Sequence, residues 1–243
     1  MVYRRFCRET LQWHRCAAVL ASIGITLLLM GCGGDGSATV PAASSGVHIV
    51  PVTGTVAGGG YGTWLQRSWQ IPFSSQTFPP CGTTESDGQR VGLLSLANAS
   101  DAASTCAEPP GRPLYVTMAS VECSSFPGNH GTFGPDHGKG PLTSGPQLQA
   151  CARSEFEGTT MSATVDGRPV NAYALVVTTK VFPIDVVVND SIGSPGGSGH
   201  AVAAARGGGV LLTGLTAGTL VIRLNGKIDG QSSTNTLTVH VER

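Results

Sequence analysis

The chain has 243 residues, with 15 basic and 15 acidic side chains and so no formal net charge at pH 7. Only 12% of the residues are charged and 34 are glycine, which favours a fold with many turns over a helical bundle. Beyond residue 31 no cluster of lysine and arginine occurs, so nucleic acid and anionic lipid surfaces are not predicted as partners.

Residues 1–31 have the three-part layout of a signal peptide. Its basic residues are Arg4, Arg5, Arg8 and Arg15. The apolar stretch 16–30 has fifteen residues, whereas a transmembrane helix needs roughly 20. The strong apolar core favours Sec export over the twin-arginine route that Arg4 and Arg5 suggest. Without this segment, eleven basic and fourteen acidic residues remain, a formal charge of −3.

The end of this segment, Leu29-Met30-Gly31-Cys32, resembles the lipobox of bacterial lipoproteins. The resemblance implies lipid attachment to the Cys32 sulfur and cleavage after Gly31. Two or three acyl chains anchor a protein firmly, whereas one binds only marginally. The residue after Cys32 is Gly33 rather than an Asp, which at this position would resemble an inner-membrane retention signal. This favours the outer membrane, on its periplasmic or surface face. A secreted protein with an incidental Cys32 and an uncleaved signal anchor are the alternatives.

Residues 32–60 are rich in Gly, Ser, Ala, Thr and Pro and are predicted to form a flexible tether. The alternating stretch 47–52 within it could add an edge strand. Residues 61–243 are long enough for one domain with its own core.

The main aromatic concentration of the mature chain lies at the start of this domain, where Trp64 and Trp69 accompany Tyr61 and Phe73. Both tryptophans could anchor a carbohydrate or a protein partner. Core packing is the alternative interpretation.

Four cysteines remain after Cys7 and Cys16 leave with the signal and Cys32 takes the lipid. They are Cys81, Cys106, Cys123 and Cys151. In an oxidising compartment this even number predicts two disulfides, with three possible connectivities. Pairing Cys81 with Cys106 and Cys123 with Cys151 is favoured because it closes the most local loops. A zinc site is the alternative use, although no C-x₂₋₄-C spacing occurs.

Short β-branched runs and period-two alternation predict most of the domain to be β-strand. The predicted strands are 114–121, 163–165 paired with Val170 across Asp166-Gly167, 174–178, 184–188, 210–212, and a C-terminal hairpin around the polar stretch 226–233. In the hairpin, apolar residues alternate with polar ones. They are Leu220, Ile222 and Leu224 in one strand and Leu237, Val239 and Val241 in the other.

One segment instead has helical spacing. Its apolar and flanking positions are Leu148, Cys151, Ala152, Glu155 and Phe156, preceded by Thr143, Ser144 and Pro146 and followed by Gly158. The predicted fold is therefore mainly β, an antiparallel β-sandwich of immunoglobulin-like or jelly-roll-like type, with one short inserted helix.

A Gly-rich loop places His130, Asp136 and His137 within eight residues, a ligand set that borderline metals favour. A solvated loop is the alternative. A second candidate, the stretch 196–200, nearly matches the G-x-S-x-G nucleophile motif around Ser198, but His200 stands at the last glycine and no strand-to-helix elbow is predicted. The mature chain has no dinucleotide, P-loop or H-E-x-x-H motif, so no cofactor is predicted.

The order of several short motifs resembles a group of exported bacterial proteins of unknown function. The motifs span most of residues 64–243: Trp69-Gln70-Ile71-Pro72, Pro80-Cys81, Gly88-Gln89, Cys106 followed by 110–114, 163–170 and 215–226. The resemblance implies export, β-structure and disulfides, and carries no established activity.

Together these patterns predict a membrane-anchored, exported lipoprotein whose β-sandwich serves in binding or envelope structure. Its partner would be an envelope protein or a carbohydrate. The alternative is a metal-dependent or hydrolytic envelope enzyme that uses His130, Asp136 and His137.

Overall fold

The structure is a computed structural model and describes residues 46–74, 81, 91–95, 103–126, 142, 144–187, 198–228 and 231–242. Its elements in chain order are β1 (His48–Ile49), α1 (Tyr61–Phe73), β2 (Gly92–Ser95), β3 (Ala103–Glu108), β4 (Leu114–Ser124), α2 (Gly145–Phe156), β5 (Thr160–Val165), β6 (Arg168–Val170), a 3₁₀ helix (Ala172–Leu175), β7 (Val176–Thr178), β8 (Phe182–Val186), β9 (Gly199–Thr213), β10 (Gly218–Ile228) and β11 (Gln231–Val241).

The strands form two sheets. The first sheet has the order β1-β9-β4-β2, with β7 and β8 also paired to β9, and the second has the order β3-β11-β10-β5-β6. Most pairs are antiparallel, and the β2–β4 and β3–β11 pairs are parallel. This arrangement confirms the predicted mainly-β, sandwich-like fold.

The first sheet is built around β9. One edge of β9 pairs with β4 from Leu212 back to Ala203, and the other edge pairs in succession with β8, β7 and β1. Between β8 and β7, Thr179 bonds Ala205 twice, because its N–H donates to the Ala205 carbonyl and its Oγ1 accepts from the Ala205 N–H, each at 2.9 Å. Since unpaired edges invite aggregation, these contacts protect the strand.

The two faces of β9 carry different elements. Tyr115 pairs with Leu211, and its ring meets the Tyr61 ring of α1 edge-on at 6.0 Å. On the alternate face, Ala204 pairs with Cys123, which is bonded to α2. Because side chains alternate along a strand, α1 covers one face and α2 the other.

The second sheet shares the α2 face of β9. Gly208 lies on this face, and a Cβ there would stand 2.8 Å from Cε of Met161, which belongs to β5. Consequently α2 and the second sheet lie side by side on the first sheet. The predicted apolar residues of the C-terminal hairpin are buried in the core between the sheets.

Close packing around β9 requires its glycines. A Cβ on Gly209 would stand 2.7 Å from Cζ of Tyr115 and 2.8 Å from the Val116 carbonyl oxygen, and a Cβ on Gly207 would meet the Ser120 side chain. Opposite this stretch, the β4 register shifts between Thr117 and Ala119. The glycines thus allow the neighbouring strand and the Tyr115 ring to approach the β9 backbone.

The predicted helix is confirmed as α2. Ser144 caps its start, with a side chain that accepts from the Gln147 N–H while the Gln147 side chain accepts from the Ser144 N–H. The expectation of a single helix is wrong, because α1 precedes it. That helix has no side-chain cap and contains Pro72, so its start and stop signals are weak.

The predicted strands are found with two corrections. The 163–170 hairpin turns at Asp166 and Gly167, both with positive φ, as a type I′ turn requires. The stretch 174–178 is a strand only from Val176, because the 3₁₀ helix precedes it. The polar stretch 226–233 is not a long turn, since β10 and β11 stay paired up to Ile228 and Gln231.

The folded region begins earlier than the predicted tether end at residue 60. Strand β1 pairs with β9, the Val50 N–H donates to the Leu211 carbonyl at 2.8 Å, and the Tyr61 hydroxyl donates to the Val50 carbonyl at 2.7 Å. Valines of this segment pack against the core. Residues 46–60 therefore belong to the domain.

The described residues contain two disulfides. They join Cys81 to Cys106 and Cys123 to Cys151, which is the pairing favoured by local loop closure. The second bond connects α2 to β4. It belongs to a small hydrophobic cluster, distinct from the main core, that consists of Cys123, Leu148, Cys151, Ala152 and Ala204.

Replacing Gly209 with Ala should lower the free energy of unfolding by about 1–3 kcal/mol, because the new methyl group overlaps Tyr115 and the β4 backbone. Urea denaturation of the full chain measures the change. Gly226→Ala is the matched control, since its Cβ would lie 3.4 Å from the nearest atom, and its effect should stay within about 0.5 kcal/mol. Equal stability of the two variants would contradict the packing role of Gly209.

Candidate binding site

An open depression of about 570 Å³ lies where α2 ends and β5 begins. We call it the α2–β5 seam. Its principal lining residues are Arg153, Phe156, Glu157, Tyr173, Val176 and Arg206. Its volume falls within the range of about 300–1,000 Å³ that is usual for small-molecule sites.

The topology explains why the seam exists. Helix α2 and the second sheet occupy the same face of the first sheet, and α2 stops at Phe156 before β5 starts at Thr160. Strands β7 and β9 of the first sheet contribute Val176 and Arg206 between them. Residues of β7 and β9 therefore form the base of the seam, and the carboxyl-terminal end of α2 forms one side.

Tyr173 is the most exposed large hydrophobic residue of the described chain, with 51% of its surface accessible. Its hydroxyl accepts from the Met161 N–H at 3.0 Å and donates to the Thr159 carbonyl at 3.1 Å. Both partners are backbone groups at the start of β5, so the ring is fixed although it faces solvent. A fixed ring loses little conformational entropy on binding a ligand.

Arg206 is half-buried on β9. Its guanidinium lies 5.9 Å from the centre of the Phe156 ring, within cation–π range, and one N–H donates to Thr178 Oγ1 at 2.7 Å. A guanidinium has five N–H donors. Among the residues that the structure describes, no carboxylate forms an ion pair with Arg206.

The charges at the seam are mixed. Arg153 is exposed in the last turn of α2, where a cation complements the partial negative charge of the helix end. Glu157, also exposed, follows directly as the C-cap. The seam therefore offers cationic hydrogen-bond donors beside the apolar surfaces of Phe156, Tyr173 and Val176, a combination suited to binding.

The strongest titration shifts lie elsewhere. Burial raises the pKa of the Glu108 carboxyl, and the Arg112 guanidinium, 3.3 Å away, partly opposes that rise. Burial also raises the pKa of the Tyr61 and Tyr115 phenols, and in Tyr115 the neighbouring Tyr61 adds to the effect. These groups lie in the core, where both phenols stay neutral, and none of them lines the seam.

The stretch around Ser198 contains one unexpected pair. His200 Nδ1 lies 2.5 Å from Asp185 Oδ1, and both side chains are largely exposed. The two residues are cross-strand neighbours in β8 and β9. Within the described part of the chain Ser198 makes no hydrogen bond to this pair, and Gly196 and Gly197 of the near-match G-x-S-x-G motif lie outside the described residues.

Four predicted site residues have no described position. Cys32, His130, Asp136 and His137 lie outside the described residues, within which no group of three or more potential metal ligands occurs.

The two tryptophans are packed in the fold. Trp64 is 4% exposed and its Nε1 donates to the Gly59 carbonyl at 3.0 Å, which matches the core-packing interpretation. Trp69 is half-buried, packs against the core, and has its ring 6.2 Å from that of Phe73.

Sequence reasoning missed Tyr173, Arg153 and Arg206. Tyr173 precedes the predicted strand 174–178, and in the structure it lies exposed in the 3₁₀ helix. A signal did exist for Arg206, because it is the lone charged residue in the small-residue run 203–209. A charge inside a central strand indicates a special environment.

Comparisons with known proteins give no family. No family model matches the chain, and no curated protein matches it. The crystal structure of the cysteine protease inhibitor EhICP2 from Entamoeba histolytica is 11% identical, covering 64% of this chain and all of that one, with a TM-score of 0.25. The solution structure of Amebosin is 16% identical at the same coverage, with a TM-score of 0.23. Scores this low support no inference about this chain.

None of the described helices is long and apolar enough to cross a membrane.

Removing the disulfide that holds α2 should loosen one wall of the seam. The double variant Cys123→Ala/Cys151→Ala should lose about 3 kcal/mol of stability, because the bond closes a loop of 28 residues. Its α2 amides should exchange with deuterium faster than those of β9, as mass spectrometry can measure. In the matched control, Cys81→Ala/Cys106→Ala, no selective acceleration in α2 is expected. Unchanged α2 exchange would contradict the clamp.

Proposed function

We propose that this chain is an exported lipoprotein whose β-sandwich is a binding module, with its ligand site at the α2–β5 seam. The observation that carries the proposal is that Tyr173, half-exposed and fixed by two hydrogen bonds, lines the same depression as the half-buried Arg206. Exposed aromatic rings and arginines are the side chains most enriched in binding hot spots.

Export is supported by the signal-like segment and by the disulfides. Two disulfides are typical of a domain that matures in an oxidising compartment, and Cys32 stands in the lipobox-like motif. Thirteen residues separate Cys32 from Gly46, the first residue that the structure describes. Fully extended, this tether would reach roughly 45 Å, which leaves the domain room to meet a partner near the membrane.

Replacing Cys32 with Ser should release the protein from the membrane, because the acyl chains would be lost. Fractionation of the native host and metabolic labelling with palmitate measure the effect. The wild-type chain should be labelled and sediment with the envelope, whereas the variant should be unlabelled and soluble. Cys16→Ser, in the signal-like segment, is the control and should behave as wild type. Palmitate labelling that persists in Cys32→Ser would contradict the anchor.

A photo-cross-linking residue tests the seam in the native envelope. Benzoylphenylalanine placed at Ser154, an exposed lining residue, should give an adduct of defined mass after irradiation. The adduct should decrease at least tenfold when Arg206→Met is added, since that change removes the charge and keeps the packing on Phe156. At Ser232, exposed on the second sheet, no such adduct is expected. Equal adducts at both positions, or no effect of Arg206→Met, would contradict the proposed site.

A further inference from the structure

We propose that the seam binds a carboxylate attached to an apolar group, such as the carboxyl end of a peptide whose last residue is apolar. This inference rests on the proposed function, because it assigns a ligand chemistry to the same site. It follows from three features of the seam. Arg206 has no carboxylate partner among the described residues, Tyr173 and Val176 provide an apolar surface that we call the platform, and the net charge is slightly positive.

The guanidinium of Arg206 provides the anion-binding group. One N–H is bonded to Thr178, and the other four donors have no carboxylate partner among the described residues. Contact with Phe156 and the bond to Thr178 hold the guanidinium in place. Because a guanidinium presents parallel N–H groups that match the two oxygens of a carboxylate, a pre-positioned Arg206 suits that ligand.

The apolar part of the ligand has its own surface. Tyr173 has about half of its surface exposed, and its hydroxyl cannot turn away without breaking two hydrogen bonds. Val176 of β7 lies in the same depression. An aromatic or aliphatic side chain placed on this platform would remove apolar surface from water at about 25 cal/mol per Å².

The charge balance selects a monoanion. Arg153 and Arg206 contribute two positive charges, and Glu157 contributes one negative charge at the same depression. The carboxyl end of α2 adds roughly half a negative charge. The small positive remainder suits one carboxylate, whereas a phosphate dianion or an acidic polymer carries more negative charge and would be repelled more strongly by Glu157.

Ligand-observed saturation-transfer NMR on the full lipidated chain in detergent provides the test. The probes are acetyl-Ala-Ala-Phe with a free carboxylate and the same peptide with a carboxamide end, which differ only in charge at that group. We expect the acid to bind at least tenfold more tightly. N-acetyl-phenylalanine is a third probe, and tighter binding of the tripeptide would identify a peptide end rather than a small free carboxylate as the source.

Four variants assign the contacts. Arg206→Met should abolish the preference for the acid, and Arg153→Gln should reduce it by a smaller factor. Tyr173→Ala should weaken the acid and the amide equally, because it removes the apolar platform. Arg223→Gln, on the exposed face of the second sheet, is the charge-matched control and should change neither affinity. Thermal denaturation checks that each variant is folded.

Two results would separate the possible failures. Equal binding of acid and amide, with both weakened by Tyr173→Ala, would overturn the carboxylate assignment and leave the seam as a binding site. No saturation transfer from any probe up to about 10 mM, a concentration about ten times a dissociation constant of 1 mM, would overturn the carboxylate assignment. In that case the Ser154 cross-linking result decides the proposed function independently.

Discussion

The first sheet depends on one constraint: neighbouring strands and side chains must pack closely against both edges and both faces of β9. Both of its edges are hydrogen-bonded and both of its faces are covered. A strand so enclosed has little room for large side chains along its middle. In β9 this part consists of three alanines, Arg206 and three glycines, at residues 203–209. The Tyr115 ring, the shifted register of β4 and Met161 of the second sheet all use the space that the missing side chains leave.

The same constraint accounts for the seam. Because α2 is drawn onto β4 and β9 by a disulfide and a small apolar cluster, it occupies part of the face that the second sheet covers elsewhere. The two elements cannot both reach Arg206 closely enough to bury it completely. Arg206 is consequently half-buried, and Tyr173, carried by the short connection between β6 and β7, stands at the rim of the space that remains.

The sequence predicted those parts of the fold that follow from local pattern. Period-two alternation identified the β10–β11 hairpin, Asp166-Gly167 identified a turn, and Ser144 with Pro146 identified the start of α2. Helix α1 was not predicted, because its start has no side-chain cap and Pro72 interrupts the helical spacing of its buried residues. The seam could not be predicted for a different reason: Arg153, Tyr173 and Arg206 come from three elements whose meeting depends on which face of the first sheet each one covers, and no local pattern encodes that choice.

The first described residues contact the carboxyl-terminal end of β9, which has a mechanical consequence for a chain anchored as proposed. Among the described residues, the segment after Gly46 is joined to β9 by the two-residue strand β1, the Val50–Leu211 bond and the Tyr61 hydroxyl, which also accepts from the Leu211 N–H. Force applied there acts on the carboxyl-terminal end of β9, several residues beyond Arg206 on the same strand. Under the proposed function, tension from the lipid anchor and occupancy of the seam would therefore act on one continuous strand.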